Sequence, residues 1–119
     1  MKYTEDHEWL RIEGDVVVVG ITEHAAEQLG DVVFVELPEP EAMVAKGDEI
    51  VVIESVKAAS EIAAPMDGEI VEVNTALVDK PALVNEDPTG DAWFFKMKVD
   101  DLSVVDDFLT EDEYNDLIG

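Results

Sequence analysis

The sequence predicts a small all-β domain, a sandwich or barrel with two short helices added. Three observations carry this. Runs of β-branched residues four to seven long recur along the chain. Gly, Asp and Pro turn signals separate them at intervals of about ten residues. Only two segments show the apolar spacing and capping residues of a helix.

In chain order, Trp9 to Ile12 reads as a short strand, and Val16 to Val19 is an apolar run ahead of Gly20-Ile21. Thr22 can cap a helix over His24 to Leu29, with Ala25, Ala26 and Leu29 on one face and Gly30 as the stop. Val32 to Leu37 is the next strand, ended by Pro38 and Pro40. Glu49 to Glu54 follows, then a short strand at Ser60 to Ala64. Gly68 to Val73 starts after the turn signal Asp67-Gly68. Trp93 to Val99 alternates, with Trp93, Phe95, Met97 and Val99 on one side and Phe94, Lys96 and Lys98 on the other. Asp100 to Asp107 reads as an acidic connector. In Thr110-Glu111-Asp112-Glu113, a capping box opens a C-terminal helix over about 110–118, with Tyr114, Leu117 and Ile118 as its apolar stripe. Gly-Asp pairs at positions 14, 30 and 47 precede valine- or isoleucine-rich strands and are read as turn reuse.

A chain of 119 residues is a single domain, 1–119, by size. Such a domain buries roughly two thirds of its unfolded surface and needs no staple. There is no cysteine, which excludes disulfides and a thiol nucleophile. Thirty acidic residues against seven basic ones leave a net charge of −23. A polyanion without a basic patch is a poor ligand for nucleic acid or an anionic membrane, so neither is expected as a partner. No apolar run reaches the roughly 20 residues of a membrane span, and the expectation is a soluble, cytoplasmic monomer. Charge of this size in a folding composition predicts a salt-loving source.

Lys57 stands out in Glu54-Ser55-Val56-Lys57-Ala58-Ala59-Ser60-Glu61, one of only six lysines, between two apolar stretches. At a hairpin tip it is reachable from outside, suiting a cofactor on a flexible stem; an ordinary solvated lysine is the plain alternative. Glu54 and Glu61 flank it as solubilising or recognition residues, and Ala58 and Ala59 are small enough for a tight turn. Trp9 reads as core or cleft wall, and His7 and His24 as ordinary polar residues. Two histidines among many carboxylates have no ligand spacing, so no metal is expected. No Ser-His-Asp elbow and no glycine-rich phosphate loop is present.

The same run resembles the lipoyl-attachment motif of the glycine cleavage system H protein family. The resemblance is colinear over nearly the whole chain. It includes Tyr3-Thr4, His7-Glu8-Trp9, Gly20-Ile21-Thr22, His24-Ala25, Leu29-Gly30-Asp31 and Val33-Phe34-Val35-Glu36-Leu37-Pro38. After the lysine it takes in Ala64-Pro65, Gly68-Glu69-Ile70-Val71-Glu72-Val73-Asn74, Asn85, Pro88, Trp93 and Lys96. It implies a lipoyl-domain-like barrel-sandwich hybrid of two antiparallel sheets, with a lipoyl hairpin at about 49–73.

The resemblance further implies a non-enzymatic carrier with lipoate in amide linkage to Lys57, within an attachment motif of Glu54, Ser55, Val56, Ala58 and Glu61. Biotin carriers usually flank their lysine with methionines, unlike Val56 and Ala58 here. Glu8, His24 and Glu61 match positions lining a cleft that shelters the loaded arm, and Asn85, Pro88, Gly90 and Trp93 a partner-facing loop. The implied partners are a glycine decarboxylase, a tetrahydrofolate-dependent aminomethyltransferase, dihydrolipoyl dehydrogenase and a lipoate-attaching enzyme. A lipoyl or octanoyl relay protein and an unmodified acidic interaction module are the alternative readings. The chain departs from the family pattern at Glu41 and Ala92, where glycine is usual, and at Thr89, where tyrosine is usual.

Overall fold

A computed structural model describes residues 1–119. Nine strands form two antiparallel sheets. They are β1 (Lys2–Tyr3), β2 (Glu8–Glu13), β3 (Val16–Ile21), β4 (Val32–Glu36), β5 (Met43–Val44), β6 (Glu49–Ser55), β7 (Ala59–Ala63), β8 (Gly68–Val73) and β9 (Phe95–Lys98). One sheet has the order β1-β2-β3-β9-β8-β5 and the other β4-β6-β7. The helices are α1 (Glu23–Leu29), α2 (Ala76–Asp79), α3 (Leu83–Glu86) and α4 (Glu111–Ile118), with a 3-10 turn at Leu102–Asp107. This is the expected sandwich of two antiparallel sheets, with a short helix after residue 22 and a helix at the C-terminus.

The inner faces meet in one core that includes Leu10, Val17, Val19, Ile53, Ile70, Phe95 and Met97, all fully buried. Strand β3 reads as a continuous apolar run because both of its faces are covered. On its outer face Trp9 lies over Gly20, its register partner. A Cβ on Gly20 would sit 2.5 Å from the indole, so only glycine admits the ring. The indole Nε1–H donates to the Pro88 carbonyl at 2.8 Å, pinning the 87–93 segment to the sheet.

Both caps form as the sequence predicts. Thr22 Oγ1 accepts from Ala25 N at 3.2 Å. At α4, Thr110 N donates to Glu113 Oε1 at 3.0 Å and Glu113 N donates to Thr110 Oγ1 at 3.2 Å. Leu117, expected in the apolar stripe, is exposed; Tyr114 is the buried anchor of α4.

Other expectations need correcting. Residues 49–73 are not one hairpin: β6 and β7 pair with each other, while β8 joins the other sheet beside β9. Proline and glycine at 65 and 68 redirect the chain between them. Phe94 does not point outward with Lys96 and Lys98; it is fully buried. The strand starts only at Phe95, because Asn74 Nδ2 draws in the carbonyls of Asp91 (2.7 Å) and Trp93 (2.8 Å) and breaks the alternation. The acidic connector is a 3-10 turn capped by Asp101, whose carboxylate accepts from Ser103 N at 3.0 Å. Helices α2 and α3 are too short to show a helical period.

Two departures from the resembled pattern have a local meaning. Glu41 lies at φ 73°, left-handed space where glycine is unstrained. Ala92 is fully buried, so its methyl group is accommodated inside the core.

Candidate functional site

The β6–β7 hairpin closes over Ser55-Val56-Lys57-Ala58, past the last register pair, Glu54 with Ala59. Ser55 builds the turn: its N–H donates to the Ala58 carbonyl at 2.8 Å, and its hydroxyl donates to the same carbonyl at 3.1 Å. The hydroxyl oxygen also accepts from Lys57 N at 3.3 Å and Ala58 N at 3.2 Å. One serine thus satisfies the tip and leaves Val56, Lys57 and Ala58 facing solvent. Glu54 and Glu61 are exposed on the two strands.

The tip does not swing free of the body. Val56 N donates to the Asp31 carbonyl at 3.0 Å, joining it to the α1–β4 turn. A Cβ on Gly30 would lie 3.2 Å from Lys57 Cε, so the lysine stem crosses over that glycine. No carboxylate forms an ion pair with the Lys57 amine.

Beside the tip a cavity of about 340 Å³ opens between α1 and the hairpin. Ala58 marks its end nearest Lys57; Ile21, Ala25, Leu29, Ile53 and Ile62 form apolar wall, and Asp6, His7 and Glu61 polar wall. Asp6, Glu61 and Ile62 also line a second cavity of about 460 Å³ with Glu8, Gly47 and Glu49. With Asp6, Glu61 and Ile62 as common walls the two cavities adjoin, and together they form a trough lined from Ala58, the neighbour of Lys57, to Glu8.

Its carboxylates are unusual. Glu8 opens β2 but is 4% exposed. Burial pushes its carboxyl up to about 8, against the pull of its hydrogen bond from Thr4 (Oγ1 to Oε1, 3.3 Å) and with a small push from Asp6. The Glu61 carboxyl is raised chiefly by sharing a hydrogen bond with Glu49, then by that neighbour's charge. A bound ammonium would supply a counter-charge to both carboxyls and so favour their ionised forms.

Glu8 and Glu61 thus meet in one trough, while His24 lines a different cavity with Tyr3, Thr22, Thr89 and Tyr114. His24 reaches the trough through two of its wall residues, His7, whose ring centroid is 4.9 Å away, and Gln28, whose Nε2 is 3.1 Å from His24 Nε2. His7, an ordinary polar residue by its sequence context, lines the trough at φ 69°. Its Nδ1 is 2.8 Å from Tyr114 Oη, which is also 2.7 Å from Thr22 Oγ1. Burial lowers the His7 pKa, as does His24, while Asp6 opposes. No spacing pattern signals this contact, because His7 and Tyr114 lie at opposite ends of the chain.

Of the residues read as a partner-facing loop, Pro88 is buried, Gly90 and Trp93 are half-buried and Asn85 is exposed. Asn85 sits on α3, its Nδ2 donating to the Gly30 carbonyl at 2.7 Å and its Oδ1 accepting from Val32 N at 2.9 Å. Pro88 is held by Trp9, and Trp93 is half-buried with Lys96 Nζ 4.8 Å from its ring centre. Gly90 packs against the Asp87 carboxylate, and Thr89 and Asp91 are exposed on the loop. No group of three or more His, Cys, Asp or Glu residues is arranged to hold a metal ion, and no helix is long and apolar enough to cross a membrane.

Comparison with known proteins matches this geometry to a family. Residues 1–119 match the family model described as glycine cleavage H-protein. The chain is 55% identical over 118 residues to the glycine cleavage system H protein of Xanthobacter autotrophicus, covering 99% of this chain and 94% of that protein. It is 57% identical over 118 residues to that of Dinoroseobacter shibae, covering 98% and 96%. The crystal structure of a glycine cleavage system H protein from Mycobacterium marinum superposes with a TM-score of 0.89 at 44% identity, covering 99% of this chain and 95% of that one.

Proposed function

Because the chain belongs to the glycine cleavage H-protein family, a family of non-catalytic carriers, we propose that Lys57 bears lipoate and that the trough shelters the group it carries. The carried group is the aminomethyl unit left when a glycine decarboxylase acts on glycine. A tetrahydrofolate-dependent aminomethyltransferase takes it, and electrons pass on to dihydrolipoyl dehydrogenase. The observation that supports this best is the pair of adjoining cavities lined from Ala58, beside Lys57, to Glu8.

Bound lipoate supplies a disulfide, reducible to a dithiol, that no side chain here provides. The protein supplies access and protection. The exposed tip offers the Lys57 amine to a lipoate-attaching enzyme, within the motif Glu54, Ser55, Val56, Ala58 and Glu61. A lone aminomethyl amine on sulfur is lost to water as formaldehyde and ammonia once it deprotonates. Glu8 and Glu61 keep it protonated through charge-assisted hydrogen bonds, and the wall of Ile21, Leu29, Ile53 and Ile62 limits water. His24 acts on this site through its contact with His7.

Intact-mass measurement and peptide mapping across Lys57, on protein from its own organism, test the reading. A lipoyl-sized increment on Lys57, absent in Lys57→Arg together with glycine decarboxylation, is the expected result. An octanoyl increment without support of glycine decarboxylation would indicate a relay of acyl groups to other lipoyl domains instead. Full glycine decarboxylation with Lys57→Arg, or an unmodified lysine in cells that lipoylate other proteins, would leave an acidic interaction module.

A further inference from the structure

One backbone hydrogen bond ties the attachment tip to the Gly30–Val32 turn, the lysine stem crosses that turn, and Asn85 holds it in place. Gly30 lies at φ 72°, ψ −156°, a region open essentially to glycine alone. Its bare Cα leaves room for the Lys57 stem: an added Cβ would be 3.2 Å from Cε and 3.4 Å from Cδ. Asn85 grips the turn on both sides, donating to the Gly30 carbonyl at 2.7 Å and accepting from Val32 N at 2.9 Å. Between them the Asp31 carbonyl accepts from Val56 N at 3.0 Å, one residue before the lysine. The chain of contacts therefore runs from α3, through the Gly30–Val32 turn, to the base and stem of Lys57.

We infer that Gly30 and Asn85 are positioning residues for the acylation of Lys57, setting the direction in which the attaching enzyme meets the amine. This rests on the reading of Lys57 as the lipoyl site. In the step concerned, the Lys57 nitrogen attacks the carbonyl of a lipoyl-adenylate, which the attaching enzyme makes from lipoic acid and ATP. A C–N bond forms, the acyl C–O bond to phosphate breaks, AMP leaves, and the amine gives up its proton. A tip pinned at Val56, with its stem laid across a bare glycine, loses less freedom on entering the enzyme than a loose hairpin would. A displacement of about 1 Å at such a step costs up to ~100-fold in rate. A glycine serving only as the stop of α1 would matter for folding and leave acylation unaffected.

The test uses the full, unmodified chain with a lipoate-attaching enzyme, lipoic acid and ATP, following the mass increment on Lys57. Gly30→Ala and Asn85→Asp are compared with wild type and with Gly14→Ala. Gly14 shares the positive φ, 62°, with nothing within 4 Å of an added Cβ, so it controls for an alanine at a positive-φ turn that does not meet Lys57. A small N-hydroxysuccinimide acetyl ester reports the intrinsic reactivity of the amine. The expected result is a fall in kcat/KM of about tenfold for Gly30→Ala and Asn85→Asp, with Gly14→Ala and all ester rates within about twofold of wild type. Should Gly30→Ala fail to fold, Asn85→Asp decides. Wild-type kcat/KM in the folded variants overturns the inference, as does a parallel drop with the ester, which would place the effect in the amine itself. No increment on the wild-type chain would instead remove the carrier reading.

Discussion

Replacing Glu8 by Gln should stabilise the protein at alkaline pH while impairing its cargo-holding. Glu8 is 4% exposed, and its pKa is raised by burial from 4.5 to about 8. A carboxyl with a raised folded-state pKa holds a proton that the unfolded chain has already released. Stability is therefore full below the unfolded value and falls as pH climbs toward the folded one. At ~1.4 kcal/mol per unit, the loss reaches roughly 4 kcal/mol by pH 8, of which roughly 1.5 kcal/mol falls between pH 6.5 and 8.

That upper window isolates Glu8 from His7. The His7 pKa is lowered, so its folded state favours the neutral ring, and its penalty appears only as pH falls below the unfolded value of ~6.5. Glu61, raised by Glu49, shifts in the same direction as Glu8, but the difference between wild type and variant cancels it to first order. The assay is thermal unfolding from pH 6.5 to 8 in 1 M KCl, which screens the general repulsion of the surface. At about 4 °C per kcal/mol, the wild-type Tm should drop by roughly 6 °C across the window, and Glu8→Gln should stay nearly flat. Gln retains an acceptor for Thr4 Oγ1, so the variant should fold. Parallel Tm curves for the two proteins would refute the reasoning. With the arm loaded, the same variant should release its amine faster, because the amide cannot neutralise an ammonium.

Three further outcomes are expected. Tyr114→Phe keeps the ring stacked 4.7 Å from Tyr3 but removes the hydroxyl shared by His7 and Thr22; it should lower stability by about 1 kcal/mol, read by urea unfolding. Glu41→Gly, at φ 73°, relieves a left-handed glutamate and should raise stability by about 0.5–1 kcal/mol on the same measurement. With a net charge of −23, the Tm of wild type should rise from dilute buffer to molar KCl, and a flat or falling Tm would exclude the salt-loving expectation.

Much of the fold is legible in the amino-acid sequence. The strands from Val16, Val32, Glu49 and Gly68 are written in β-branched runs and turn residues, and both caps in Thr22 and Thr110, because those signals are local: a strand's period and a capping side chain need only their neighbours. Lys57 is legible for the same reason, as one lysine in a short motif. The colinear resemblance carries the two-sheet architecture and the cofactor, which no local pattern holds.

What the tertiary structure decided is where distant residues meet. It placed Glu8 of β2 and Glu61 of β7 in one trough, set His24 outside it behind His7, and tied His7 to Tyr114 across the chain's full length. It set Asn85 of α3 to grip the Gly30 turn, and buried Phe94 where alternation placed it outside. The rise of the Glu8 carboxyl to about 8 is likewise a tertiary property, since the same residue on an exposed strand would titrate as an ordinary glutamate. Periodicity reports which face of an element is apolar; desolvation and long-range hydrogen bonds depend on what the fold packs against that face.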